Sequence, residues 1–213
     1  TEMKLPSTPT ALFIASALGS DLADEVLPEW VSRTGNPDLE PAVLVQRVDG
    51  IGSELAAVTP AQWLTSIGSA WLWTLQPLLQ PYGPGYPGFM QGEPYRRKNL
   101  QTVLGSYTEL KHDTLLYAKQ GTAGEGEGPE PPPFTPRHFV EPDPVAFLRL
   151  AALATLMSDG LDERGLLTEA SATLLASYAE LATWLGGIAS AELAGEPTSD
   201  ADNRRLGGFG SEL

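Results

Sequence analysis

No β-branched segment of this chain alternates with polar residues over the length of a strand, whereas long stretches repeat apolar side chains at helical spacing. The pattern predicts helices over 9–18, 21–31, 37–48, 60–79, 94–120, 144–159 and 168–194. The expected fold is therefore mainly α, an irregular multi-helix bundle with long Pro/Gly-rich loops. Helix starts are well marked. Thr8-Pro9, Asn36-Pro37, Thr59-Pro60 and Asp143-Pro144 each set a capping residue before a proline at the first helical position, and Thr168 caps an Ala/Leu-rich run. Two stretches break the pattern. Pro81–Phe89 crowds proline and glycine around Tyr82, Tyr86 and Phe89 and reads as a turn-rich loop. Residues 121–137 form an acidic Gly/Pro excursion with too little apolar surface to join a core.

The stretch 144–159 is apolar on nearly every side, the pattern of a central helix enclosed by others. Arg149 is its lone mid-helix charge and calls for a carboxylate partner or a route to solvent. Residues 55–92 hold no charged side chain, and Trp63–Leu79 approaches the length of a membrane span. Gln62, Thr65, Ser66, Ser69, Thr74 and Gln76 dilute its apolar character, so it is expected as a buried helix, with no transmembrane span predicted.

On 95–120 the pattern separates two faces. Leu100, Val103, Leu104, Tyr107 and Leu110 form an apolar stripe, with Lys111 falling inside it. Thr102, Gly105, Ser106, Glu109, His112 and Asp113 lie opposite, and the small residues among them suit close approach of a second helix. A charged group in such a contact must be paired. Two readings of the cluster remain open: a structural ion-pair network completed by Arg149 or by Arg96, Arg97 and Lys98, or a ligand site. Glu109 and His112 share the Glu-x-x-His spacing of di-metal bundles, but that motif is needed twice and occurs once, so no metal is assigned. Trp71, Trp73, Tyr82 and Tyr86 form a second candidate, an aromatic surface for carbohydrate or peptide.

Composition narrows the functional classes. The 213 residues suit a single helical domain or lobe, expected to be a fragment of a longer protein. A net charge of -14 opposes nucleic-acid binding, and the absence of cysteine removes thiol chemistry and thiolate metal sites. No serine elbow and no phosphate-cradling glycine loop is present, so neither catalytic residues nor cofactors are assigned.

GYPGFM (Gly85–Met90) and the run from Tyr95 through Lys98, Leu100, Thr102, Leu104, Ser106-Tyr107, Glu109-Leu110-Lys111-His112-Asp113-Thr114 to Leu116-Tyr117-Ala118-Lys119-Gln120 resemble a signature of the family called domain of unknown function 3160. The element Phe139–Leu153, with its V-E-P-D-P start, is similar to a second element of that family. Tyr95 and Tyr107 stand where the family usually has tryptophan, and the acidic excursion is inserted between the two elements. The resemblance implies part of a longer, extracytoplasmic protein, at the cell surface or secreted, and implies no activity. The leading expectation is a non-catalytic structural or interaction domain whose partners are other parts of a longer chain or other protein subunits. The alternatives are a helical lobe of a peptidase-like hydrolase and a carbohydrate- or peptide-binding surface domain.

Overall fold

A computed structural model describes residues 11–33, 41–114 and 137–209, with Pro41, Asp113 and Thr114 described by backbone alone. Its elements are α1 (Ala11–Ala17), α2 (Asp21–Arg33), α3 (Pro41–Ala56), α4 (Pro60–Trp63), α5 (Ile67–Leu75), a 3-10 turn (Pro77–Leu79), α6 (Glu93–Thr114), α7 (Pro144–Asp162), α8 (Glu169–Leu193) and α9 (Asp200–Gly207). No strand occurs among the described residues, and the fold is mainly α as the pattern predicts. The starts at Thr8 and Asn36 and the excursion 121–137, except for its last residue Arg137, lie outside the described residues.

The caps that can be compared are in place. The Thr59 side chain accepts from the Gln62 N–H while the Gln62 side chain returns to the Thr59 N–H, a reciprocal capping box. Asp143 caps α7 by accepting from the Ala146 N–H, and Thr168 caps α8 by accepting from the Ser171 N–H.

The single helix expected over 60–79 is broken in three. Ser66 caps α5 by accepting from the Ser69 N–H, and the Ser69 hydroxyl turns back onto the Trp63 carbonyl at 2.8 Å. Short hydroxyl side chains offer the backbone these local bonds in place of helical ones, so the chain restarts there. Pro77 makes the second break. It lacks the N–H that would bond the Trp73 carbonyl, and the 3-10 turn follows.

Two packed bodies of apolar side chains cover the first half. One joins α1 and α2 to Trp63, Leu75, Leu79, Leu100 and Val103; the other joins Leu27 and Val31 of α2 to Val48 of α3. A third, with Val140, Ile188 and Ala189 at its centre, lies between α8 and the segment leading into α7. The helix α7 packs chiefly along α8 and also against α5. It is not enclosed, contrary to its apolar pattern: Val145 is 45% exposed and Leu148 is 51% exposed. Among the described residues it is the one helix long and apolar enough to cross a membrane, with 22% of that stretch buried. Its exposed apolar side chains are the surplus left after α5 and α8 have covered their shares.

Candidate functional site

Three segments meet at the N-terminal ends of α6 and α7: the loop Pro81–Met90, the first turns of α6 that follow it, and the V-E-P-D-P segment, distant from both in sequence. Aromatic rings knit them together edge to face. Centroids are 4.9 Å apart for Tyr82–Tyr86, 5.5 Å for Tyr82–Tyr95, 5.7 Å for Phe89–Tyr95 and 6.0 Å for Phe89–Phe139.

Beneath the rings runs a polar chain. Asn99, 1% exposed, donates from Nδ2 to the Leu78 carbonyl at 3.1 Å and to the Tyr82 hydroxyl at 3.2 Å. The Tyr82 hydroxyl donates in turn to Asp143 Oδ2 at 2.7 Å, and Asp143 Oδ1 accepts from the Ala146 N–H at 3.2 Å. Asp143 is thus both the cap of α7 and the anchor that fixes the loop to it. Burial, and then the hydrogen bond to the Asp143 carboxylate, push the Tyr82 phenol far above its ordinary range, so it is a permanent donor. Burial and the adjacent Glu141 do the same for Tyr95. Lys98 pairs with Glu141 and lies over the Tyr95 ring at 4.4 Å from its centroid, closing the outer edge.

This junction walls a cleft of about 360 Å³ bounded by Gln76, Pro77, Gln80, Pro81, Tyr82, Tyr86, Asp143, Val145 and Arg149. Arg149 is held at its rim by the break in α5. Nη1 donates to the Trp73 carbonyl at 2.6 Å and to Gln76 Oε1 at 3.1 Å. The carbonyl that Pro77 leaves without a helical partner is the one the guanidinium takes. Its Cζ lies over the Trp73 ring, 4.4 Å from the centroid. Burial lowers the Arg149 pKa and the nearby Asp143 charge offsets part of that, leaving the group a cation at neutral pH.

A second depression, of about 460 Å³, is apolar. Trp71, Leu75, Leu150, Leu153, Ala154, Met157, Leu174, Leu175 and Tyr178 line it, with Thr74 and Ser106. Three of its polar side chains are already bonded: Trp71 Nε1 donates to Ser106 Oγ at 2.8 Å, and Thr74 Oγ1 donates to the Trp71 carbonyl at 2.7 Å.

The residues singled out from sequence are dispersed. Leu100, Val103 and Leu110 are buried as the stripe requires, but Glu109, Lys111 and His112 are exposed, and Asp113's side chain lies outside the described residues. Among the described residues the face carrying Glu109 and His112 is open to solvent rather than pressed against a second helix; of the small residues beside them, Ser106 bonds Trp71 of another helix and Thr102 bonds the Lys98 carbonyl of its own. Arg149 lies with Trp73 and Gln76, not with Glu109, while Arg97 pairs with Glu93 and Lys98 with Glu141. No group of three potential metal-ligating side chains gathers among the described residues. Of the four aromatic candidates, Tyr82 and Tyr86 meet in the cleft, Trp73 lies under Arg149, and Trp71 faces the apolar groove. Asn99, Gln76 and Gln80 escaped the sequence reading. The available signal was the Gln76-Pro77 step, which announces an unbonded carbonyl four residues before the proline.

A family model described as "Protein of unknown function (DUF3160)" matches residues 3–213. No curated protein and no solved structure matches the chain.

Proposed function

The chain belongs to the DUF3160 family, a family of unknown function, and within it we propose that this domain acts by association rather than catalysis, receiving an apolar segment of a protein partner in the groove between α5, α6, α7 and α8. The observation carrying this reading is the groove's composition. Trp71 and Ser106 bond each other and Thr74 bonds the Trp71 carbonyl, the Tyr178 hydroxyl being the one further side-chain polar group of the described lining, while Leu174 at the edge is 63% exposed and Tyr178 is 38% exposed. A surface of that kind has little to offer a reaction and much to gain from cover.

Charge selects the occupant. A net charge of -14 makes a second copy of the chain self-repelling and favours a partner with basic flanks around its apolar core. Such a partner is another part of a longer parent chain or a separate subunit, and the setting we propose for it is the cell surface or exterior, on the strength of the family resemblance.

Fluorescence anisotropy of two labelled amphipathic helical peptides tests this, one built of Leu and Lys and the other of Leu and Glu. The Lys peptide is expected to bind saturably and to lose affinity on Leu174→Asp; the Glu peptide is expected not to bind. Equal binding of both peptides, indifference to Leu174→Asp, or dimerisation of the chain alone through this groove would overturn the reading.

A further inference from the structure

The cleft at the head of α7 has chemistry that the apolar groove lacks, and its key side chain is only half committed. Arg149 uses Nη1 for Trp73 and Gln76, and its Cζ lies over the Trp73 ring. Nε and Nη2, the two donors of one fork edge, bond to none of the described residues. A guanidinium fixed by its face and one nitrogen, with a parallel pair of N–H groups left over, is preorganised for a planar bidentate acceptor.

We propose that this cleft binds a carboxylate, with Arg149 gripping the two oxygens and Tyr82, Tyr86, Pro77 and Val145 covering the group that bears it.

Three observations choose a carboxylate over a more highly charged anion. Among the described residues Arg149 is the one cation lining the cleft. The Asp143 carboxylate beside it, already bound to Tyr82 and Ala146, repels a dianion about twice as strongly as a monoanion. The Ala146 N–H at the head of α7 is taken by Asp143, which leaves one backbone donor fewer for phosphate. The volume, about 360 Å³, suits a small ligand or one terminal residue of a peptide. The Tyr86 hydroxyl is a further donor on the cleft wall that bonds to no described residue. The carboxylate can therefore come from a free organic acid or from a peptide C-terminus, and the two sources separate experimentally.

The test is a nitrogen-15 NMR titration of the full chain, following the Arg149 Nε–H resonance. Benzoate serves as the free acid, N-acetyl-alanine as the peptide terminus, and inorganic phosphate as the control. A saturable shift with at least one of the two acids is expected, with weaker binding of phosphate; whichever acid binds more tightly identifies the source. Arg149→Lys keeps a donor for the Trp73 carbonyl but removes the fork, and about a tenfold loss of affinity is expected from losing one charge-assisted bond. Because that variant touches a packed position, Val145→Trp is the companion: Val145 is 45% exposed on the cleft wall, and the larger ring fills the space without disturbing the core. It should abolish binding with unfolding unchanged. No saturable shift with either acid, unaltered binding in Val145→Trp, or tighter binding of phosphate would overturn the assignment.

Discussion

Asp143 carries more of this structure than its place at a helix start suggests. One carboxylate oxygen caps α7 and the other holds Tyr82, which in turn satisfies the buried amide of Asn99. Replacing Asp143 by Ala removes a cap and strands a buried hydroxyl, a loss of about 2–3 kcal/mol in unfolding free energy measured by denaturant titration. Tyr82→Phe should cost less, about 1–2 kcal/mol, because the cap survives. Glu192 makes a different prediction. Its Oε2 is buried without a partner, and burial raises its pKa above the ordinary 4.5. A carboxyl whose folded pKa is raised stabilises the fold while protonated, and that contribution fades as pH climbs from about 4.5 through the folded value. Stability should therefore decline over that interval, with Asp24, also raised by burial, adding to the slope. Glu192→Gln should flatten the decline in unfolding curves recorded across pH; an unchanged slope would assign the dependence elsewhere.

Among the elements, the chain's own punctuation explains both what was legible and what was not. The caps at Thr59, Asp143 and Thr168 could be read because a capping side chain and its helix are neighbours in sequence. The break at Leu64–Ser66 was hidden by the apolar run around it, although Ser66 and Ser69 supply the competing bonds. The helix α9 escaped because Asp200–Gly207 is short and carries only Ala201 and Leu206 as apolar side chains, too few to show a period; its sign was the Ser199 cap, whose side chain accepts from the Asp202 N–H. The junction of Asn99, Tyr82 and Asp143 was illegible for another reason. Tyr82 and Asp143 lie 61 residues apart, and no local pattern ties two such positions together. At the end of α1 the backbone itself is the constraint. Gly19, at φ 97°, bonds back to the Ser16 carbonyl while Ser20 reaches that of Ala15, and a Cβ there would stand 3.0 Å from Gln80 Nε2. Gly19→Ala should lower stability by about 1–2 kcal/mol, read from the thermal midpoint, since the left-handed conformation is strained for a side chain.

For the whole molecule, two depressions of different character draw on α7: a cleft with a guanidinium held at its rim, and a groove lined chiefly by apolar side chains. The overall charge of -14 then governs what approaches the groove. Association with a basic-flanked partner should weaken as salt rises, because the Debye length shrinks from about 10 Å at 0.1 M toward about 3 Å at 1 M. Burial of apolar surface alone would not show that loss. Amide hydrogen exchange of the intact chain, with and without the Leu/Lys peptide, addresses the association claim most directly. Slowed exchange confined to 150–157 of α7 and 174–178 of α8, and absent from the α6 turn bearing Glu109 and His112, is the expected result. Protection centred on that α6 turn, or none anywhere at saturating peptide, would contradict it.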